Sequence, residues 1–339
     1  IKIIDEQLGL NDGLEWGPDL VGLTALTPSA PRAYSLSAQH RAQGTPVVMG
    51  GVHATAMPDE AARYVDAIVT GDAEGVWPQL VADFESGHLQ RRYEGEFLPL
   101  EGLPEPRRDL YPKGYPTETI ISSKGCPYHC EFCSIWRYYD RRYRPRPIEA
   151  VVDELAGLSD RKLVYFADDN ITIDQRRCID LCRRMVERGI RRRYAIQGSL
   201  NLADNDELLK WLKRSGCTYV FIGFESLNPQ TLAAIDKPDL LRSGPDGYKR
   251  RIKRIHDHGL AVFGSFIVGF DHDTPDVFER LRSFILEAEI DCALINILNA
   301  CPGTDLWERL LLQERLLYSD WPDEYSFLTQ DNVSILPAG

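Results

Sequence analysis

No apolar run in this sequence approaches the ~20 residues of a membrane-spanning helix, so insertion into a bilayer is excluded, whereas docking at a membrane surface is not. The basic excess of a general nucleic-acid binder is also missing, because 51 acidic residues outnumber 39 basic ones and leave a formal charge of -12. Internal repeats and low-complexity segments are absent. What remains is the composition of a soluble globular protein, and 339 residues favour two domains over one.

Cysteine is missing from the first 125 residues of the chain. A secreted disulfide-bonded protein would be shorter and would carry cysteines along its whole length. We therefore expect a reduced, cytoplasmic compartment and a metal site where three cysteines fall close together. The eight cysteines are Cys126, Cys130, Cys133, Cys178, Cys182, Cys217, Cys292 and Cys301.

The chain begins at Ile1 instead of Met, and residues 1–5 have the apolar pattern of a strand in the middle of a fold. We therefore expect that residues upstream are missing, including the first strand of the N-terminal domain. A signal peptide cannot be judged from this N-terminus, so the cytoplasmic expectation depends on the cysteines.

Residues 1–97 are predicted to form an α/β domain. Apolar runs at 20–23, 46–49 and 67–69 each end in small or polar residues and precede helical stretches, which is typical of a Rossmann-like, doubly wound sheet. Such sheets bind ligands in the loops beyond the carboxyl ends of their strands. The loop residues placed to contact a ligand are Thr27, Ser29, Gly50, Gly51, His53, Ala54, Thr55, Gly71 and Glu74.

Residues 98–116 contain five prolines and are predicted to be a linker, because proline disfavours both helix and central strand. In residues 117–310, strands alternate with helices that include 204–214 and 275–289. Six such units fit a partial (β/α)6 barrel, whose chemistry lies at the carboxyl ends of the strands. Residues 311–339 form a C-terminal segment without a functional interpretation. The six strands are predicted at 117–122, 162–166, 194–198, 218–223, 261–268 and 293–298.

The strongest pattern is a trio of cysteines, Cys126, Cys130 and Cys133, directly after the first strand of the second domain. Three thiolates in one loop can hold three irons of a [4Fe-4S] cluster and leave the fourth iron open to another ligand. The alternative is a zinc site completed by His129. The cluster is favoured because a zinc knuckle rarely follows the first strand of a barrel.

The C-x-x-x-C-x-x-C spacing, with aromatic Phe132 before the third cysteine, resembles the radical S-adenosylmethionine (SAM) superfamily over about residues 117–310. The resemblance implies that the open iron chelates SAM and that one-electron reduction cleaves SAM to a 5′-deoxyadenosyl radical. The usual Gly-Gly-Glu motif is replaced at 167–170 by Ala-Asp-Asp-Asn, so either Asp168 or Asp169 would bind the methionyl ammonium. The SAM contacts that the resemblance implies are Phe132, Asp168, Asp169, Gln197, Ser199, Asn201, Glu225, Gly264 and Gly269.

The three N-terminal loops, placed upstream of such a barrel, resemble the cobalamin-binding domain of cobalamin-dependent radical SAM enzymes. Small residues would let the backbone approach the corrin, and hydroxyls would supply hydrogen bonds. The cobalt-ligating Asp-x-His-x-x-Gly motif is absent from these residues, although its usual place follows the strand expected to be missing. We therefore expect His53 to contact the cobalamin tail or to make a structural hydrogen bond, and not to ligate cobalt.

Two further features have competing interpretations. Cys301 lies beyond the sixth predicted strand, at the reactive end of the barrel, and is the candidate for a substrate-contacting catalytic thiol. The stretch 137–146, RYYDRRYRPR, could grip RNA through phosphates and stacking. Its position after the cysteine loop instead favours contacts to corrin amides, to an anionic substrate group or across a domain interface.

The resemblance implies a cobalamin-dependent radical SAM methyltransferase that adds a methyl group to an unactivated carbon of a small-molecule, lipid or tetrapyrrole substrate. An external electron donor such as flavodoxin or ferredoxin is implied with it. One alternative is a non-methylating cobalamin enzyme that catalyses oxidative cyclisation or ring rearrangement. A second, a tRNA methylthiotransferase, would need three more cysteines upstream of Cys126. A third is a cofactor-binding sensor without turnover.

Overall fold

The computed structural model describes residues 1–8, 14–317 and 335–336. Contacts divide the described residues into two compact units. Unit 1 comprises 1–115, 137–140 and the described part of 299–336, and unit 2 comprises 116–136 and 141–298. Residues 299–310, which the sequence placed in the second domain, therefore group with unit 1. Most of the predicted C-terminal segment, 318–334 and 337–339, lies outside the described residues.

The secondary structure follows the predicted alternation of strands and helices. The strands are β1 (Val21–Thr24), β2 (Val47–Gly50), β3 (Ala67–Thr70), β4 (Arg92–Glu94), β5 (Thr117–Ile120), β6 (Ser123–Lys124), β7 (Arg144–Pro145), β8 (Leu163–Phe166), β9 (Tyr194–Gly198), β10 (Cys217–Glu225), β11 (Ala261–Val268) and β12 (Cys292–Ile297). The helices are α1 (Ala30–Ala42), α2 (Val52–Ala56), α3 (Pro58–Tyr64), α4 (Trp77–Glu85), α5 (Ile135–Tyr138), α6 (Ile148–Gly157), α7 (Gln175–Glu187), α8 (Asp206–Ser215), α9 (Pro229–Ala234), α10 (Pro238–Asp257, kinked at Gly244), α11 (Val277–Glu287) and α12 (Asp305–Leu312).

Unit 1 is built on a parallel sheet in the order β1-β2-β3-β4. Alternate residues of β2 point to opposite faces of this sheet. Val47 and Met49 pack in a core with residues of α1 and α3, whereas Val48 packs with Val69 and with Leu80 of α4. Helices therefore cover both faces, as a doubly wound sheet requires. The short edge strand β4 was not predicted, because Arg-Tyr-Glu carries one apolar residue.

The predicted strand over residues 1–5 is wrong. These residues precede a 3-10 helix, Glu6–Leu8, and Ile1 is almost fully exposed. A strand forms only where its backbone N–H and C=O groups find a neighbouring ladder. Among the described residues, β1 pairs only with β2, and residues 1–5 do not add to its free edge.

Unit 2 is built on a parallel sheet in the order β12-β11-β10-β9-β8-β5, which confirms the six predicted strands. Phe224 and Phe266 point to one face, where Phe224 lies 5.7 Å from the ring of Tyr248 in α10 and 6.2 Å from that of Phe284 in α11. The alternate residues of the same strands, such as Phe263, point to the inside. Because β12 and β5 remain as two edges, the barrel is partial.

The predicted linker and the two predicted helices can be compared with the structure. The proline-rich residues 98–115 form neither strand nor α-helix, apart from a 3-10 turn at Arg108–Leu110. The predicted helices at 204–214 and 275–289 are α8 and α11, and the side chain of Asn205 caps α8 by accepting the Leu208 N–H. In the described residues, we find no helix with the length and apolar character needed to cross a bilayer.

Candidate active site

A cavity of about 320 Å³ lies at the carboxyl ends of β8, β9 and β10 in unit 2. Its volume is typical of a small-molecule site. Parallel strands bring their carboxyl ends to one edge of a sheet, so loops far apart in sequence meet here. The predicted site residues that line it are Cys126, Cys130, Phe132, Cys133, Asp169, Gln197, Ser199, Asn201 and Glu225.

The three clustered cysteines share this cavity. Burial raises the pKa of all three thiols, that of Cys133 to about 12, so the thiolates need a cation to stabilise them. Among the described residues, no group of three His, Cys, Asp or Glu side chains is arranged to hold a single metal ion. In a [4Fe-4S] cluster each thiolate binds a different iron. Three cysteine thiols in one cavity therefore supply the donor set that such a cluster needs.

The adjacent carboxylates after β8 have different surroundings. Asp168 is fully buried outside the cavity lining, where it accepts hydrogen bonds from Ser122 N at 2.9 Å and Ser122 Oγ at 2.7 Å, and from the Ser123 hydroxyl. Asp169 lines the cavity and accepts the Gly125 N–H at 2.7 Å. Burial raises the pKa of both groups. Asp168 is thus committed to the loop before the cysteines, whereas Asp169 faces the space for a ligand.

Polar side chains after β9 continue the wall. Asn170 Nδ2 donates to Ser199 Oγ at 2.7 Å, which fixes one amide and one hydroxyl beside each other. Asn201 Oδ1 is buried and has no hydrogen-bond partner in the described part of the chain. An unpaired buried acceptor is costly unless a ligand donates to it. The unpaired Asn201 Oδ1 could therefore accept a hydrogen bond from a ligand that carries a hydroxyl group.

Glu225 ends β10 in a strained backbone conformation. Its φ of 62° is rare for a residue with a side chain, and the register of β10 shifts between Gly223 and Glu225. The carboxylate folds back over Gly223, where a Cβ would lie 2.2 Å from Glu225 Oε1. Positive φ, a bulge and the space left by Gly223 together aim this carboxylate into the cavity.

Lys237 is the main functional residue that sequence reasoning missed. It lines the cavity between α9 and α10, and its Nζ lies 3.2 Å from Glu225 Oε1. Burial alone would lower the pKa of Lys237, but the neighbouring Glu225 carboxylate raises it above its ordinary value. The cavity therefore contains a retained cation beside the cysteine loop. Its position two residues after Ile235, in a loop without a motif, gave no signal in the sequence.

Two predicted glycines and one cysteine lie elsewhere. Gly264 packs into the helix-facing side of the sheet, where a Cβ would approach Phe266 to 3.1 Å. Gly269 occupies an exposed turn and donates its N–H to Asp273 Oδ2 at 2.9 Å. Cys301 belongs to unit 1 and is not among the residues that line the cavity.

The three predicted loops of unit 1 are joined to one another. The His53 N–H donates to Ala25 O at 3.2 Å, and the Gly71 N–H donates to Thr55 Oγ1 at 3.0 Å. Ser29 is engaged locally, since its hydroxyl donates to Leu26 O at 3.0 Å, and Ala54 is fully buried. The loops therefore form one connected rim at the carboxyl edge of the sheet.

Other residues of this rim differ in exposure. Glu74 is exposed, in the 3-10 turn Ala73–Gly75. A Cβ added at Gly50 would make only ordinary van der Waals contacts, whereas a Cβ on Gly51 would lie 2.5 Å from Thr24 Oγ1. Leu26 was not predicted as a contact, yet it is 63% exposed beside the buried Thr27. Leu26 offers the rim an apolar surface for a large ring.

His53 is fully buried in a polar network. Its Nε2 lies 2.8 Å from Tyr34 Oη and 3.3 Å from Glu60 Oε1, and its Nδ1 lies 3.3 Å from Thr27 Oγ1. Tyr34 in turn donates to Glu60 at 2.7 Å. Both ring nitrogens of His53 lie within hydrogen-bond distance of protein atoms, which matches the expected structural hydrogen bond.

The start of the basic stretch 137–146 is engaged within unit 1. Arg137 pairs with Glu308 at 2.7 Å and with Asp305 at 3.4 Å, and the Tyr138 hydroxyl donates to Gly71 O at 2.8 Å. These carboxylates neutralise Arg137. The contacts favour a role within the protein over phosphate binding.

The fold and the cavity define an enzyme in which a three-thiolate site faces a carboxylate and an ammonium group at the open end of a partial barrel. Comparison with known proteins specifies the class. Residues 120–285 match the Radical SAM superfamily, and residues 14–81 match the B12 binding domain.

Individual relatives agree with this match. The chain is 31% identical to the bacteriochlorophyllide d C-12(1)-methyltransferase of Chlorobaculum tepidum over 96% of its own length and 72% of that protein. It is 28% identical to the anaerobic magnesium-protoporphyrin IX monomethyl ester cyclase of Cereibacter sphaeroides over 93% of its length, covering 56% of the cyclase. The chain belongs to the radical SAM enzymes that carry a cobalamin-binding domain, and its cofactors are a [4Fe-4S] cluster, SAM and cobalamin.

A solved structure shows the same fold. TsrM from Kitasatospora setae, a radical SAM methyltransferase with cobalamin and a [4Fe-4S] cluster bound, superimposes with a TM-score of 0.80 at 17% identity. The match covers 95% of this chain and 75% of TsrM. It includes both the B12-binding sheet and the partial barrel.

Proposed function

We propose that this enzyme is a cobalamin-dependent methyltransferase that adds a methyl group to an unactivated carbon of a small-molecule, lipid or tetrapyrrole substrate. When bound, the cluster and SAM supply the radical that removes hydrogen from the substrate, and cobalamin carries the methyl group. The observation that carries the proposal is the cavity in which the cysteine trio, Asp169 and Lys237 face one space. A zwitterionic cofactor with an amino and a carboxylate group suits this set of charges.

Each polar group of the cavity has a proposed role. Asp169 would accept hydrogen bonds from the methionyl ammonium, and Lys237 would donate hydrogen bonds to the methionyl carboxylate. Asn201 and Glu225 would accept hydrogen bonds from ribose hydroxyls, which would satisfy the orphaned Asn201 Oδ1. Phe132, which lies 6.4 Å from the ring of Phe270, would pack beside adenine.

Cobalamin is assigned to the rim of unit 1. Leu26 and Ser29 would face the corrin from the first loop, and the 51–55 and 71–74 loops would contact its side chains and nucleotide tail. Thr27 and His53 are turned toward the interior, so they would position the rim without touching the cofactor. An external electron donor such as flavodoxin or ferredoxin, and a cytoplasmic location consistent with eight free cysteines, stay predictions.

The test is an anaerobic incubation of the reconstituted enzyme with SAM, a reductant and candidate substrates. A methyltransferase yields 5′-deoxyadenosine together with a product heavier by one methyl group. A cyclase, favoured by the similarity to the Cereibacter sphaeroides enzyme, yields 5′-deoxyadenosine and a product that has lost hydrogens. Absence of 5′-deoxyadenosine would leave only a sensor. Cys130→Ala is the matched control, because it should abolish 5′-deoxyadenosine while leaving cobalamin bound to unit 1.

A further inference from the structure

The inside of the unit 2 barrel carries a group of aromatic side chains that are only partly buried. We call Tyr165, Tyr219, Phe221 and Phe263 the inner aromatic face. They alternate along β8, β10 and β11 with residues that are buried against the helices. Partly accessible rings on the inner side of the sheet can contact a ligand, which rings packed against the helices cannot.

The inner aromatic face is continuous with the cavity. Phe221 lines the cavity, and its ring lies 5.1 Å from that of Phe263, which lies 6.2 Å from that of Tyr219. On the other side, the Tyr165 hydroxyl lies near the side chain of Gln197, which also lines the cavity. A molecule lying on this face would therefore reach the space assigned to SAM.

A polar pair lies next to the rings, on β11 and β12. Ser265 follows Phe263 on the same face of β11, and Asn296 on β12 places its Nδ2 3.5 Å from Ser265 Oγ. Asn296 Oδ1 is buried and has no hydrogen-bond partner in the described residues. A buried amide oxygen without a donor destabilises the ligand-free state, and a ligand that donates to it removes this cost. Asn296 thus points to a ligand that carries a hydroxyl or N–H group.

We propose that the inner aromatic face binds the substrate and that the substrate is a flat conjugated ring system with a hydrogen-bond donor at its edge. The inference rests on the proposed function, since it places a substrate beside the SAM cavity. Flat conjugated rings gain from stacked and edge-to-face contacts with aromatic side chains beyond the area that they bury. A saturated polycycle gains binding free energy only from the surface area that it buries. The aromatic side chains of this wall therefore favour a flat conjugated ring system.

The test uses two porphyrins with the same macrocycle, haematoporphyrin with hydroxyethyl groups and protoporphyrin IX with vinyl groups. Equilibrium dialysis measures their binding to the enzyme reconstituted with cluster and cobalamin, without reductant. Phe263→Leu and Tyr219→Leu should each weaken the binding of both porphyrins about fivefold. Asn296→Leu should weaken haematoporphyrin binding about fivefold and leave protoporphyrin IX unaffected.

Two variants control for folding. Phe263→Tyr keeps the ring and should retain wild-type affinity, and Phe278→Leu alters an exposed aromatic residue of α11 and should change nothing. Failure of porphyrins to bind saturably would overturn the inference, as would equal affinity for the saturated alcohol hopanol or loss of affinity in Phe278→Leu. If porphyrins bind as expected but no methyl group is transferred, the proposed function fails while this inference stands. If 5′-deoxyadenosine forms and porphyrins do not bind, only this inference fails.

Discussion

Replacement of Lys237 by glutamine tests the SAM site most directly. The change keeps a polar side chain at the position and removes the charge that lies 3.2 Å from Glu225 Oε1. A hydrogen bond to a charged group contributes about 1.5–3 kcal/mol, so loss of the proposed contact to the methionyl carboxylate should weaken SAM binding about 10- to 150-fold. The buried Glu225 carboxylate would also lose its partner and repel the SAM carboxylate, which places the expected effect toward the upper end.

The assay is equilibrium dialysis of SAM against the anaerobically reconstituted enzyme, with the electron paramagnetic resonance spectrum of the reduced cluster as a second readout. The cluster signal should form normally in Lys237→Gln but should respond to SAM only at higher concentrations. Lys253→Gln is the matched control, because Lys253 is an exposed lysine that pairs with Asp257 outside the cavity. SAM affinity within about twofold of wild type in Lys237→Gln, or an equal loss in Lys253→Gln, would refute the assignment.

Four other substitutions test further features of the two units. Gly223→Ala should displace the Glu225 carboxylate, which lies 2.2 Å from the new Cβ, and lower SAM affinity by dialysis; unchanged affinity would show that Glu225 makes no contact with SAM. Asp168→Ala should lower the free energy of unfolding by about 1–3 kcal/mol, because the hydrogen-bonding groups of the loop before the cysteines lose their acceptor. Asp169→Asn should instead lower SAM affinity with little change in urea denaturation, and the reverse pattern for the two aspartates would contradict the assignment. Tyr34→Phe should weaken cobalamin binding, followed by visible absorption, because the network below the rim loses a donor; wild-type cobalamin affinity in this variant would show that the network does not position the rim.

Much of the framework was predictable because it depends on local patterns. Apolar runs bounded by small or polar residues marked β2 and β3, and the cysteine spacing predicted one site for the three cysteines, which do line one cavity. The same reasoning failed at residues 1–5, because an apolar run becomes a strand only if a neighbouring ladder exists. That partner is a property of tertiary structure.

The site was less predictable where orientation decides the role. Asp168 and Asp169 are chemically identical and adjacent, and both follow the end of β8, where the alternation of a strand no longer dictates direction. The structure separates them through the hydrogen-bonding groups of Ser122 and Gly125, which are more than 40 positions away in sequence. Lys237 reaches the cavity from a loop between helices, and no spacing rule connects such a loop with a barrel strand.

The enclosure of His53 affects how mutagenesis of the rim should be interpreted. Replacing this histidine would release Tyr34 and Thr27 together, and a collapsed rim would lose cobalamin just as a missing metal ligand would. Reduced occupancy alone therefore cannot identify an axial base. A bond between cobalt and an imidazole nitrogen would instead appear as nitrogen superhyperfine splitting in the electron paramagnetic resonance spectrum of the cobalt centre. Because both ring nitrogens of His53 already have partners within the protein, we expect no such splitting from His53.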